Sequence, residues 1–142
     1  MHLNPSNGEI ALDGLIVQPT LSRSVLKLSP DFDAWENYYG DGLSHFSYRR
    51  QISDADSMRL LFTLYFHDDH LESAEIFSLL PGEPRSGKWE NWSLEQELSR
   101  KALHDKFLAE SLGAQPYDYA WGQVLSIYDE RSAESRIIVK YQ

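Results

Sequence analysis

The 142-residue chain contains no cysteine. This absence excludes disulfide bonds, thiolate nucleophiles and cysteine-ligated metal sites. The chain also lacks any apolar run near the roughly 20 residues that a membrane-spanning helix needs. Its first eight residues have neither a basic start nor an apolar stretch, so no secretory signal is predicted. Together these absences predict a soluble cytoplasmic protein that does not enter a membrane.

Basic residues are scarce, with 13 Lys and Arg against 22 Asp and Glu and a formal net charge of −9. Because phosphate backbones attract Lys and Arg, this balance argues against nucleic-acid binding. An acidic surface attracts a basic protein partner, but it also serves solubility alone. The charge therefore leaves both interpretations open.

The short motifs of common catalytic sites are missing as well. Gly82 and Gly87 lack the strand–turn–helix context of a phosphate loop, and there is no Gly-x-Ser-x-Gly elbow. Residues 67–70, His-Asp-Asp-His, offer imidazoles and carboxylates to a metal. They lie where two strands must turn, however, and Asp is a standard turn residue. We therefore predict no catalytic residue, no metal and no cofactor.

What the chain does contain is the composition of a packed core, with 42% hydrophobic and 13% aromatic residues. A single domain over residues 1–142 is expected, because a chain of this length buries about 68–70% of its unfolded surface.

Apolar periodicity predicts the strands. Asp13-Gly14 suits a type I′ turn, so residues 9–17 predict a β-hairpin. Residues 43–52, 58–66 and 71–79 predict an antiparallel meander, with 58–66 a central strand covered on both faces. In 71–79 the alternation slips between Ile76 and Phe77, which predicts a bulge there. Two further strands are predicted at 121–128 and 136–141, and the longest loop at 81–88.

Two helices are predicted from their capping residues. Ser29-Pro30-Asp31 is typical of a helix start, and Phe32, Trp35 and Tyr39 would form the inward stripe of a short helix that ends at Gly40. The capping-box pattern of residues 93–96 begins a long helix that ends at Gly113. Its predicted inward face consists of Leu94, Leu98, Ala102, Leu108 and Leu112.

The predicted fold class is therefore α+β. It has a single, mostly antiparallel sheet of about seven strands, with the long helix packed on one face and the short helix at an edge.

The first candidate site is an acidic and aromatic surface on the predicted short helix. If its apolar stripe faces the core, the side chains displayed outward are Asp31, Asp33, Glu36, Tyr38 and Asp41. Aromatic anchors ringed by acids suit contact with a cationic protein. The alternative is an ordinary solvated helix face.

The second candidate site surrounds the long helix. Trp89, Trp92 and Trp121 would line a pocket that holds His104 and Asp105 as an acid/base pair. Neighbouring helix positions point about 100° apart, which places these two side chains poorly for a mutual hydrogen bond. The alternative is structural: tryptophans that anchor the core, and an ion-paired network that ties helix to loop and sheet.

These residues also carry a resemblance. The series Trp89-x-x-Trp92-Ser93, Glu97, Arg100-Lys101, His104-Asp105, Tyr117-Asp118-Tyr119 and Trp121-Gly122 resembles a family of small bacterial proteins of unknown function. The resemblance covers about the last 55 residues and implies no activity. In size, acidity and α+β composition the chain is similar in type to immunity proteins that neutralise toxins used in bacterial competition, without a shared motif. The leading hypothesis is a non-catalytic module that binds a basic protein such as a toxin domain. The alternative is a small-molecule-binding protein or simple hydrolase that uses the tryptophan-lined pocket.

Overall fold

The computed structural model describes residues 1–53, 58–85 and 89–142, and in these residues the α+β class is confirmed. Two helices and two antiparallel sheets account for the regular structure described. The strands are β1 (His2–Leu3), β2 (Ile10–Leu12), β3 (Leu15–Val17), β4 (Glu36–Gly40), β5 (His45–Ser53), β6 (Arg59–His67), β7 (His70–Leu79), β8 (Asp118–Tyr119), β9 (Gly122–Asp129) and β10 (Glu134–Tyr141). The helices are α1 (Arg23–Lys27) and α2 (Leu94–Leu112), with 3₁₀ turns at Phe32–Ala34 and Trp89–Asn91. The predicted loop at 81–88 includes residues 86–88, which lie outside the described residues.

The predicted N-terminal hairpin is confirmed, with Leu12 paired to Leu15 across the turn. The turn itself differs from the prediction. A type I′ turn needs positive φ at both central residues, whereas only Gly14 (φ 77°) has it and Asp13 does not. The hairpin joins β1 in a separate three-stranded sheet, rather than the main sheet.

The main sheet has seven strands in the order β4-β5-β6-β7-β10-β9-β8. The meander is confirmed, and β6 at its centre is buried on both faces as predicted. The bulge predicted between Ile76 and Phe77 is wrong. The register shift falls between Tyr65 and Phe66, beside the tight turn, so the extra residue accommodates the turn.

The short helix predicted over residues 31–39 is also wrong. A 3₁₀ turn occupies Phe32–Ala34, and the chain then forms the edge strand β4, paired with β5. Trp35 is buried as predicted, but Tyr39 is 80% exposed. An isolated helix of this length is marginal, and pairing with a long neighbouring strand supplies hydrogen bonds that a single short helix cannot match.

Two strands of the main sheet, the edge strand β4 and the penultimate strand β9, pass very close to a neighbour at a glycine. A Cβ at Gly40 would lie 2.3 Å from the carbonyl oxygen of His45, and one at Gly122 only 1.9 Å from that of Lys140. Any larger residue would push β4 away from β5 or β9 away from β10, so glycine is required at both positions.

Helix α2 begins and ends as predicted: the Ser93 hydroxyl accepts from the Gln96 amide, and Gly113 follows the last turn with φ 83°. Its predicted inward face is largely wrong. Leu94 and Leu98 are 47% and 49% exposed. The residues that α2 buries are Glu97, Arg100, His104 and Leu108.

Alternation along the strands gives the main sheet two faces. The covered face carries Leu60, Phe62, Leu64, Ile76 and Val139, and its core cluster extends to Leu108 of α2 and to apolar residues of the small sheet and α1. The opposite face, here called the open face, carries Arg49, Leu61, Thr63, Glu75 and Phe77, which are neighbours across β5, β6 and β7. In the described part of the chain no helix is long and apolar enough to cross a membrane.

Candidate functional site

A cavity of about 310 Å³ lies on the open face. Leu61, Phe77 and Leu79 form its apolar floor, and Trp89, at the start of the 3₁₀ turn, and Trp92, directly after that turn, form part of its wall. We call it the open-face cavity. Its volume is at the lower end of the range typical of small-molecule sites.

The two tryptophans of the wall differ in how firmly they are held. The indole nitrogen of Trp92 donates to the carbonyl oxygen of Ala133, 2.8 Å away, in the turn before β10. Trp89 packs on Trp92 with ring centroids 6.0 Å apart and is 72% exposed. One indole is thus anchored, and the other is available for contact.

A buried arginine supports the cavity from beneath. Arg100 is 0% exposed, and its guanidinium bonds both carboxylate oxygens of Glu83 at 2.6 and 2.7 Å and Glu97 at 2.8 Å. The same group lies 3.9 Å from the ring centre of Phe77 in the cavity floor. Burial alone would lower the pKa of Arg100, but the hydrogen bonds that its guanidinium donates to Glu83 and Glu97 raise it above its ordinary value. The guanidinium therefore stays charged and paired.

This ion-pair cluster closes a gap in the sheet. The register that pairs Ile137 with Ile76 would bring Ser135 opposite Ser78, yet β7 and β10 are no longer paired there. The Ser135 amide donates instead to Glu97 at 2.8 Å, and the Ser78 carbonyl accepts from Arg100. Charged side chains of α2 thus replace ladder hydrogen bonds between two strand ends.

The network predicted to tie helix to loop and sheet therefore exists, but it is centred on different residues. Glu83 lies in the loop after β7, and Arg100 and Glu97 lie in α2. Sequence reasoning missed Arg100 and Glu83 as its centre. The available signal was the spacing of Glu97 and Arg100, three residues apart on one helix face.

His104 lies apart from the open-face cavity. It is buried on the covered-face side, where its Nε2 lies 2.9 Å from the Ser78 hydroxyl, and it lines a second cavity of about 210 Å³ with Leu60 and Phe107. Burial, assisted by the nearby Arg100 charge, lowers the pKa of His104 to about 4. The imidazole is therefore neutral near pH 7.

Asp105 points away from His104, as the helical geometry predicts. It accepts from Lys101 at 2.8 Å, and its side chain is partly exposed. Burial is the largest single influence and opposes ionisation of this carboxyl group, but the hydrogen bond and charge of Lys101, together with smaller contributions from Ser126 and His104, outweigh it and lower the pKa of Asp105. The predicted acid/base pair with His104 is not formed.

Trp121 anchors the N-terminal segment. Its indole nitrogen donates to the carbonyl oxygen of Pro5 at 2.8 Å, and its ring stacks on Tyr119 at 5.1 Å. A Cβ at Gly8 would lie 2.6 Å from this ring. Of the five residues predicted to share a pocket, only Trp89 and Trp92 line the open-face cavity.

The acids of segment 31–41 largely have partners within the protein. Asp31 pairs with Arg50 at 2.6 Å, and Glu36 pairs with Arg85 at 2.8 Å. Asp33 is exposed. An ion pair already occupies two of the five predicted contact residues.

The other two residues of that prediction, Asp41 and Tyr38, also have internal contacts. Asp41 accepts from the backbone amides of His45, Leu43 and Ser44, and these hydrogen bonds hold its pKa far below the ordinary range. Tyr38 lies under the guanidinium of Arg49, 3.5 Å from the ring centre, and lines the open-face cavity. The segment therefore contributes Tyr38 to the open-face cavity, and its five predicted contact residues are exposed although most of its acids have contacts within the protein.

The imidazoles of the His-Asp-Asp-His turn are not arranged to bind a metal ion together. His67 stacks on His45 at 4.7 Å and lies 3.7 Å from Glu72. Within the residues that the structure describes, no group of three or more His, Asp or Glu is placed to hold a metal ion.

Comparison of the chain with protein-family models, with curated proteins and with solved structures gives no match. Function must therefore be argued from the geometry of the chain itself.

Proposed function

We propose that this protein is a binding protein whose ligand occupies the open-face cavity. The observation that carries the proposal is an aromatic wall over an apolar floor, in a volume of about 310 Å³ that suits a small molecule. Trp89 and Tyr38 remain substantially exposed there, although large aromatic side chains usually bury their surface.

The support beneath the cavity favours the same proposal. Phe77 in the floor and Glu97 at the margin are both held by Arg100, which no rotamer change can move without breaking its two carboxylate pairs. A site with fixed walls loses little conformational entropy when it binds a ligand.

The four tryptophans allow a direct test. In a Trp35→Phe, Trp121→Phe double variant, only the indoles of the cavity wall fluoresce. Trp35 is a suitable position because its indole nitrogen has no hydrogen-bond partner among the described residues. A panel of small metabolites titrated into this variant should include ligands that change the fluorescence and raise the melting temperature of the wild-type protein.

Trp89→Ala is the matched loss-of-binding variant. Because this side chain is mostly exposed, we expect its removal to change the free energy of unfolding by at most about 0.5 kcal/mol. Binding should weaken strongly, whereas the variant Leu28→Ala, at the exposed residue that directly follows α1, should bind as the wild type does. A panel without any ligand that alters the indole fluorescence would contradict the proposal, as would unchanged binding by Trp89→Ala.

A second candidate function is capture of a basic protein, such as a toxin domain, in the manner of an immunity protein in the cytoplasm. The net charge of −9 favours this function, as do the exposed side chains of Asp33, which precedes the edge strand β4, and of Tyr39, which lies on it. The test is to identify the genes that neighbour this one and to titrate the protein with a purified basic toxin domain that they encode. Asp33→Lys should slow association, and added salt should remove the difference. Equal association rates for the wild-type protein and the Asp33→Lys variant at low salt would contradict this candidate function.

A further inference from the structure

Five charged side chains line the open-face cavity, and most of them are already paired. They are Arg49, Glu83, Arg85, Glu97 and Glu134. Arg100 pairs with both carboxylates beneath the cavity, those of Glu83 and Glu97, and Glu36 pairs with Arg85. Arg49 and Glu134 remain, and neither has an ion-pair partner among the described residues. The cavity thus offers one cation and one anion for a ligand.

Arg49 is held in a fixed orientation. Its Nε donates to the Thr63 hydroxyl at 2.9 Å, and its guanidinium carbon lies 3.5 Å from the ring centre of Tyr38. Its terminal nitrogens donate no hydrogen bond within the described chain. A guanidinium fixed in this way binds a carboxylate with two parallel hydrogen bonds at little entropic cost.

Glu134, at the start of β10, supplies the complementary charge. Its carboxyl group lies beyond ion-pair distance from Arg49, yet close enough to experience its charge. Desolvation raises the pKa of Glu134, and the charges of Arg49 and Arg136 offset this only in part. A ligand ammonium would provide the direct partner that this carboxylate lacks.

Building on the binding function proposed above, we propose that the ligand is an amino acid or a compound of the same zwitterionic class. Arg49 takes its carboxylate, Glu134 takes its ammonium group, and an apolar side chain packs against Trp89 and Trp92. A simple anion would leave Glu134 unpaired and repelled, and a simple cation would do the same to Arg49. Only a ligand with both charges satisfies both groups.

Three probes separate the parts of this proposal: L-phenylalanine, N-acetylphenylalanine, which lacks the ammonium group, and phenylalaninamide, which lacks the carboxylate. The last two also represent the carboxyl and amino ends of a peptide. Titrated into the double variant that keeps only Trp89 and Trp92, L-phenylalanine should bind roughly 10- to 100-fold more tightly than either analogue. Equal or tighter binding of an analogue would overturn the zwitterion assignment and indicate a peptide terminus instead.

Charge-removing variants assign each group to its partner. Glu134→Gln should weaken L-phenylalanine roughly tenfold or more, whereas N-acetylphenylalanine should bind as tightly or more tightly, since that anionic probe has no ammonium group and no longer meets a like charge. Arg49→Gln should weaken L-phenylalanine similarly, whereas the cationic phenylalaninamide should bind as tightly or more tightly. Lys27→Gln is the charge-removing control, because Lys27 is exposed at the end of α1 and is not among the residues that line the open-face cavity. Loss of affinity in the control equal to that in the two variants would overturn the assignment.

The outcomes separate this inference from the function on which it rests. If another ligand of the panel binds and all three probes do not, the cavity is a binding site and the zwitterion proposal is wrong. If no ligand of any class changes the fluorescence of Trp89 and Trp92, both proposals are wrong.

Discussion

The covered face of the main sheet is apolar and closed, whereas the open face combines apolar, aromatic and charged side chains. On the covered face, Phe62, Leu64 and Val139 are fully buried against α2, α1 and the small sheet. On the open face, Arg136 bonds Asp129 at 2.9 Å and lies 3.5 Å from Glu75. The covered face therefore supplies most of the hydrophobic stabilisation. Because the open face contributes less to the free energy of unfolding, Arg49 and Glu134 can remain without ion-pair partners there.

Helix α2 connects the two faces at one end of the sheet. Its buried Arg100 contacts Phe77 of the open face, while His104, one turn later, bonds Ser78 of the covered face. Paired charges thus reach the interior, and leucines of the same helix remain in solvent. The contrast between the faces can be tested at α2 with three experiments.

The largest effect is expected at Arg100. Arg100→Met leaves the carboxylates of Glu83 and Glu97 buried without their cation, so we expect a loss of about 3–5 kcal/mol in the free energy of unfolding, measured by urea denaturation. Arg85→Met, in the exposed pair with Glu36, should cost less than about 1 kcal/mol. Adding Glu83→Gln and Glu97→Gln to Arg100→Met should restore part of the loss. A cost for Arg100→Met as small as that for Arg85→Met would contradict a buried, mutually dependent cluster.

Next in size is the comparison of two leucines on α2. Leu108 is fully buried in the core, so Leu108→Ala should cost about 2–5 kcal/mol through lost burial and a cavity. Leu98→Ala, on the stripe that the sequence predicts to be inward, should cost about 0.5 kcal/mol or less. The unfolding free energies of the two variants distinguish a helix that buries Leu108 and exposes Leu98 from one that buries both leucines. Equal losses would contradict the orientation in which Leu98 is exposed.

A smaller effect is expected from the pH dependence of His104. Its pKa lies near 4 in the folded protein and near 6.5 in the unfolded chain, because burial disfavours the charged imidazole. The unfolded chain therefore binds the proton first, and stability falls as the pH decreases from about 6.5 towards 4. The full loss is about 3 kcal/mol, of which about 2 kcal/mol should occur between pH 7 and pH 5.

His104→Gln is the control for this pH effect, since an amide can still bond the Ser78 hydroxyl but does not titrate. Urea denaturation of both proteins at several pH values between about 5 and 7 should show the steeper decline in the wild type alone. Parallel curves for the two proteins would exclude His104 as the source.

The sequence was most informative where one local signal decided the outcome. The strict alternation of residues 58–66 predicted a central strand buried on both faces, and Ser93 and Gly113 marked the ends of α2. Phe32, Trp35 and Tyr39 fit the apolar stripe of a helix, but no short helix forms over them. The competing hydrogen bonds come from β5, and they form only when β4 and β5 pair in the folded chain. For the candidate site, sequence reasoning found Trp89, Trp92 and Tyr38, but assigned them to two separate sites.

By itself, then, the sequence determined the α+β class, the meander and the boundaries of the long helix, because periodicity and caps act within a few residues. Only the tertiary structure decided which face of α2 is buried. An arginine is a poor core residue until Glu83 from another segment and Ser78 from a strand end provide its partners. The tertiary structure likewise places Arg49, Glu134 and Trp89 around one cavity. Their proximity depends on the pairing of β5, β6, β7 and β10 and not on any local sequence pattern.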